Sequence, residues 1–378
     1  MTIDEKYKKA GEIISTAGGT PLPVNDTLIK LLKYFIMEDE LDFIFSFREK
    51  KSQTMEQLKL SSGLSEEEIN KKVKDLAKRG VIFNQPNSKG IMVFRLLPLI
   101  NVGTFEYTFM NKIEKNERNK EISALFDQLF GELEKMVQQN YDALVPHLLN
   151  IPPVDRTVPV FDNKPKNEKI KIIVNEDVGT SADKIVSTKK VEEIIQKFDE
   201  IAVGHCFCRH HKDMSGTPCK QTDERENCFT FGKSAKFTSE QGFARIISKD
   251  EALKILKRAE DAGLVHKAFH PNFDTSKDET SICNCCLCCC ANSVENMIAP
   301  IVNATNFLST VNDDLCVGCG TCVKKCHTHA AYLNDDKKAR RKEDLCIGCG
   351  VCAHFCPKNA ISMIESKERI VKIAPKRK

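Results

Sequence analysis

The chain has no apolar run near the roughly 20 residues that cross a bilayer, which excludes a membrane-spanning helix. It also has no glycine loop of the nucleotide-binding kind, so flavin and nicotinamide binding find no support. The opening Met1-Thr2-Ile3-Asp4-Glu5 carries no apolar leader, so a cytoplasmic, reducing setting is expected and disulfides are not. Tryptophan is absent, which decides nothing. At 378 residues, 41% of them hydrophobic, there is room for two or three domains with ordinary packed cores.

Cysteine is what the chain has in abundance. Eight of its 18 cysteines fall into two copies of one pattern, Cys316, Cys319, Cys322, Cys326 and Cys346, Cys349, Cys352, Cys356. The gaps of two, two and three residues are the ligand spacing of a chain that wraps two [4Fe-4S] clusters. A cubane needs four thiolates, and two intervening residues let a tight turn aim three successive sulfurs at three irons. Gly318, Gly320, Gly348 and Gly350 stand where that turn must bend and bring N–H groups toward sulfide. The fourth cysteine of each run is too far along to close its own cluster and ligates the other one. Cys316, Cys319 and Cys322 therefore pair with Cys356, and Cys346, Cys349 and Cys352 with Cys326. Zinc sites usually separate two ligand pairs by a longer insert, so zinc is disfavoured at these eight positions.

Residues 309–365 resemble the bacterial-type two-cluster ferredoxin family. The resemblance implies a small ferredoxin-like domain that moves electrons one at a time. One position departs from the family: His327 follows Cys326 where proline is usual, whereas Pro357 follows Cys356. Ligation is expected to survive this change, and an altered exposure or hydrogen bonding of the second cluster, and hence an altered potential, is the expected consequence. Each oxidised cluster with its thiolates carries about −2. Two of them bring the formal net charge of +4 to around neutrality, so no general affinity for nucleic acid is expected.

Upstream, residues 1–23 read as a flexible arm and residues 24–150 as a helical, winged-helix-like domain. Leu28, Leu31, Leu32 and Phe35 recur at helical spacing. The turn Ser61-Ser62-Gly63-Leu64 and a capping box of Ser65 and Glu68 mark a helix-turn-helix, with Ile69, Val73 and Leu76 facing inward. Two strand-like runs around residues 81–97 follow. A winged helix most often reads DNA, yet the first turn of its second helix is Glu66-Glu67-Glu68, three carboxylates toward a polyanion. DNA stays possible but disfavoured; a docking or dimerisation module is the preferred reading. Residues 104–149 are helical in pattern, and the prolines of residues 151–166 mark a linker.

Residues 167–308 read as a mixed, cysteine-rich central domain. A strand is expected at residues 169–174 and helices at residues 191–198 and 292–298. Ten cysteines lie here: Cys206, Cys208, Cys219, Cys228, and then Cys283, Cys285, Cys286, Cys288, Cys289 and Cys290. Core packing accounts for one or two buried thiols but not for six in eight residues. A third iron–sulfur cluster drawing on some of the ten is the first reading. Zinc held partly by His205, His210 or His211 is the second, and a dithiol relay the third. The Cys-Phe-Cys-Arg-His and Ile-Cys-Asn-Cys-Cys strings resemble those of multi-cluster ferredoxin proteins of anaerobes, a resemblance that brings no substrate.

The fold class expected is therefore α+β and multidomain, closed by a basic tail at residues 366–378. The function expected is electron transfer between redox proteins, one as donor and one as acceptor, with no catalytic residue required. An electron-transfer subunit of an oxidoreductase system is favoured over a self-contained enzyme. The alternatives are a redox-sensing winged-helix regulator of DNA and a reductase acting at the central cysteines.

Overall fold

Thr2 accepts from the Glu5 amide while the Glu5 carboxylate accepts from the Thr2 amide, and this capping box starts helix α1 (Ile3–Ser15). Tyr7, Ala10, Ile13 and Ile14 form its buried stripe. The arm expected over residues 1–23 is thus a packed helix as far as Ser15; charges on its outer face dilute a three- and four-residue apolar spacing. In chain order there follow α2 (Asp26–Phe35), α3 (Leu41–Phe45), β1 (Ser52–Thr54), α4 (Met55–Ser62), α5 (Glu66–Lys78), β2 (Ile82–Pro86) and β3 (Met92–Leu96). Next come α6 (Thr104–Met110), α7 (Glu117–Gln139), α8 (Tyr141–Leu148), β4 (Asp155–Val158), α9 (Val191–Lys197), β5 (Ile201–His205) and α10 (Phe207–Met214). The middle of the chain adds β6 (Glu226–Phe231), α11 (Gly232–Glu240), β7 (Arg245–Ile246), α12 (Lys249–Asp261), β8 (Val265–Phe269) and β9 (Ser281–Cys285). It closes with β10 (Ile301–Val311), α13 (Thr321–Lys324), β11 (Ala331–Leu333), β12 (Ala339–Arg341), α14 (Val351–His354) and β13 (Ile361–Ile373).

This is a computed structural model, and it describes residues 1–17, 22–112, 114–160, 191–271, 274 and 277–378. The strand expected at residues 169–174 lies outside them. Helix and strand are mixed along the chain, and none of the described helices is long and apolar enough to cross a membrane.

Two compact units divide the chain. The first takes Met1–Met136, Ala202–Pro218 and Lys233–Ile246. Here α4 ends on Gly63 in the left-handed region, and Ser65 with Glu68 caps α5, whose Ile69, Val73 and Leu76 are buried. Strands β1, β3 and β2 form an antiparallel sheet in that order. The core of the unit is aromatic: Phe105 stands within 5.3 Å, ring centre to ring centre, of Phe109, Phe126, Phe130 and His211. The helical pattern of residues 104–149 resolves into three helices, α6 to α8, with breaks after Met110 and Gln139.

The second unit takes Val137–Ile201, Cys219–Gly232 and Ile247–Lys378. Six of its strands are hydrogen-bonded in the order β13, β10, β4, β8, β9, β6. Only the β10–β4 pair among these is parallel. Two expectations fail here. Part of the stretch read as a linker is β4, buried at all four positions between β10 and β8. Prolines 152, 153 and 159 stand just outside it, and its charges are satisfied by partners: Lys267 on Asp155, and Glu368 with Asn306 on Arg156. The stretch read as a basic tail belongs largely to β13, which pairs with β10 from Ile361 to Ile373. Two of its cations have fixed partners. Arg369 donates to the carbonyl oxygens of Glu343, Phe307 and Cys346, and Arg377 pairs with Asp142.

Candidate metal centres

The two C-terminal cysteine runs fold as near copies. Each turns through glycines with positive φ, +70° and +72° at Gly318 and Gly320, +66° and +76° at Gly348 and Gly350. Each then enters a four-residue helix, α13 or α14, that carries the third cysteine. A side chain at Gly318 would strike the Lys337 carbonyl oxygen at 2.3 Å, and one at Gly350 the Val160 carbonyl oxygen at 2.5 Å. The loops are therefore pressed against neighbouring backbone and can be built only with glycine.

Cys316, Cys319 and Cys322 line one cavity together with Cys356 of the other run and with Gly318, Gly320 and Pro357. Cys326 of the first run stands with the second: it packs beside Cys346 and contributes to the field at Cys349 and Cys352. Backbone N–H groups point at the sulfurs, Ala339 to Cys316 at 3.3 Å, Ala360 to Cys356 at 3.2 Å and Ala331 to Cys326 at 3.4 Å. Thr321 lies 3.4 Å from the Cys319 sulfur, and Ser309 lies 3.9 Å from that of Cys346.

Of these eight cysteines only Cys319 is exposed. Cys319 is exposed among Leu315 and Val317, themselves 48% and 62% exposed. The hydroxyl of Thr321 beside it holds its thiol below the ordinary value. Burial, reinforced by neighbouring thiols, pushes Cys352 up to about 12 and Cys349 well above its usual range. Burial of this kind keeps a free thiol protonated. The donor set, the glycine turns and the N–H groups aimed at sulfur all fit iron–sulfur clusters.

In the central region the cysteines separate. Cys206 and Cys208 stand at the start of α10 in the first unit. His210 Nδ1 lies 2.9 Å from the Phe109 carbonyl oxygen and His211 Nε2 3.2 Å from that of Ser123, both buried. Burial holds the His211 imidazole below its ordinary value against the opposing pull of Asp127. In the second unit, Cys219 meets Cys286, Cys288 and Cys289, all four sulfurs within 4.8 Å of one another. Among the described residues no other group of three or more Cys, His, Asp or Glu side chains is as tight. Cys219 Sγ lies 3.5 Å from Cys288 Sγ, which lies 3.7 Å from Cys289 Sγ. Hydrogen bonds from Cys286 and Cys289 pull the Cys219 thiol far below its ordinary value, while Cys289 is pushed up as the donor.

One turn presents three of these four. Gln221 accepts from the Leu287 amide at 3.0 Å and donates to the Gly263 carbonyl oxygen at 2.9 Å, while Ser293 and Asn296 donate to the Leu287 carbonyl oxygen. Residues 292–298, expected as a helix, form turns instead, because Ser293 and Asn296 spend their side chains on this clamp. Sequence reasoning missed Gln221 and the buried Lys267–Asp155 pair at 3.0 Å. A lone glutamine carries no signal, and Lys267 sits in an otherwise apolar alternation.

Residues 309–363 match the family model of a 4Fe-4S dicluster domain. No curated protein and no solved structure matches the chain. The matched stretch contains all eight C-terminal cysteines.

Proposed function

We propose that the chain is an electron-transfer protein that holds one [4Fe-4S] cluster on Cys316, Cys319, Cys322 and Cys356 and a second on Cys346, Cys349, Cys352 and Cys326. The carrying observation is the cavity lined by three cysteines of one run and the fourth of the other. Bound there, the clusters supply one-electron oxidation and reduction. The residues around them set how and where. Amide donors from Ala331, Ala339 and Ala360 stabilise negative charge on sulfur and so raise the potential. Exposed Cys319, rimmed by Leu315 and Val317, gives a redox protein its approach.

The compact quartet is read differently. A tetrahedral ion with metal–sulfur bonds of about 2.3 Å sets its sulfurs about 3.8 Å apart. Separations of 3.5 and 3.7 Å suit a single ion. Four protein thiolates leave it no open position, so Cys219, Cys286, Cys288 and Cys289 hold a structural zinc. The order α4, α5, β2, β3 with β1 completing the sheet supports a winged helix in the first unit. The carboxylates of Glu66 and Glu67 at the first turn of α5 favour protein docking over DNA.

Iron and acid-labile sulfide on anaerobically purified protein test the reading: at least about eight of each per chain is expected from two cubanes, with about one zinc. Protein that is colourless, or that carries zinc at the C-terminal quartets, would sink it.

A further inference from the structure

The compact quartet uses four of the central cysteines and leaves Cys228, Cys283, Cys285 and Cys290 in the same unit. Strand register brings these together. The β6–β9 pairing sets Phe229 opposite Ile282, which puts Cys228 opposite Cys283, and their sulfurs are 3.8 Å apart. Cys283 and Cys285 lie two apart on β9 and so face the same side of the sheet. The turn that carries the compact quartet then returns the chain to Cys290, which interacts directly with Cys285.

That side of the sheet is where the dicluster domain packs. Cys285 and Cys290 share an apolar cluster with Val265 and Ile347, and Cys283 and Cys349 border it. Cys349 is one of the four thiols of the second C-terminal quartet, and Cys352 of that quartet feels the field of Cys322 in the first. Beside Cys285, Lys267 is 2% exposed and pairs with Asp155. Lys267 and Cys285 line one small cavity with Val265 and Ile347. A buried ammonium beside the Cys285 sulfur suits an anionic thiolate centre better than a plain hydrophobic core.

We infer that Cys228, Cys283, Cys285 and Cys290 ligate a third iron–sulfur cluster, next to the second site of the dicluster domain and separate from the zinc quartet. Its four sulfurs form two close pairs, Cys228 with Cys283 and Cys285 with Cys290, rather than one tight group like the zinc quartet, an arrangement that suits a polynuclear centre better than a single ion. The crowded run from Cys283 to Cys290 is then two interleaved ligand sets. Cys283, Cys285 and Cys290 serve the cluster, and Cys286, Cys288 and Cys289 serve the zinc. The inference rests on the dicluster reading, since it extends that relay inward from exposed Cys319 past Cys349.

The test is native mass spectrometry with metal analysis on anaerobic full-length protein, beside the electron paramagnetic resonance of the reduced protein. Wild type is expected to hold about twelve irons if the third cluster is a cubane, or about ten if it has two irons, with about one zinc. The double variant Cys228→Ser/Cys283→Ser is expected to fall to about eight irons while keeping its zinc and the spectrum of the C-terminal pair. Cys219→Ser/Cys286→Ser is expected to lose zinc and keep all its iron. Wild type with about eight irons and an intact spectrum of the pair overturns the third site alone, whatever the variants do. So does a Cys228→Ser/Cys283→Ser protein that keeps all its iron, the result for a simple dithiol. Fewer than about eight irons with no spectrum of the pair overturns the dicluster reading itself.

Discussion

Replacing Gly348 by alanine should destabilise the second cysteine loop far more than the same change at Gly320, although both glycines have positive φ. At Gly348, φ is +66°, and an added methyl would stand 2.3 Å from the Phe307 carbonyl oxygen and 2.6 Å from Thr305 Oγ1. At Gly320, φ is +72°, and the nearest atom is Leu333 Cδ1 at 3.9 Å. A side chain in the left-handed region costs about 1–2 kcal/mol at either position. The clash at Gly348 adds about 1–3 kcal/mol, because a backbone carbonyl between two paired strands cannot swing aside as a long side chain does. Gly348→Ala should therefore lose about 2–5 kcal/mol and Gly320→Ala about 1–2 kcal/mol. The assay is urea unfolding of anaerobic protein, followed by loss of the visible absorbance of the clusters. Equal midpoints for the two variants would refute the close approach of this loop to β10.

Three further outcomes follow from the same geometry. Lys267→Met leaves Asp155 charged and buried, at a cost of about 3–5 kcal/mol, and adding Asp155→Leu should restore more than half of it; an additive double variant in urea unfolding would contradict the pairing. Gln221→Ala frees the Leu287 turn and should weaken zinc retention against a chelator about 10- to 100-fold with iron unchanged; unchanged zinc would show that Gln221 does not position the turn. His211, with its imidazole held below the ordinary value, stays neutral in the folded unit while the unfolded chain takes up a proton as pH falls through about 6.5. The stability it contributes is present above that pH and lost as pH falls toward the folded value. His211→Gln should flatten this acid slope in urea titrations, and an unchanged slope would count against the assignment.

What the sequence discloses depends on whether chemistry or packing fixed it. The gaps between Cys316 and Cys356 are set by the shape of a ligand, so they read directly. The start of α5 reads as plainly, since Ser65 and Glu68 cap it with their own side chains. Strand β4 does not, because Asp155 and Arg156 look like surface residues until Lys267 and Glu368 arrive from elsewhere in the chain. For the same reason β13 passes for a tail: Lys367, Arg369 and Lys372 suggest solvent, and only β10 and the loop around Cys346 give Arg369 its partners. The sorting of the run from Cys283 to Cys290 is invisible without register. Which thiol meets which depends on the pairing of β6 with β9 and on a turn held by Gln221, more than 60 residues upstream.

The most direct test of the interleaved cages is the low-temperature electron paramagnetic resonance spectrum of the fully reduced protein, taken alongside that of Cys356→Ala. Two clusters that each take their fourth ligand from the other run should give a spectrum broadened by interaction between their spins. The Cys356→Ala change lies in the second run but should remove the signal of the cluster on Cys316, Cys319 and Cys322, and with it the interaction between that cluster and the one on Cys346, Cys349, Cys352 and Cys326. A wild-type spectrum without interaction, or a Cys356→Ala spectrum that matches wild type, would contradict the account.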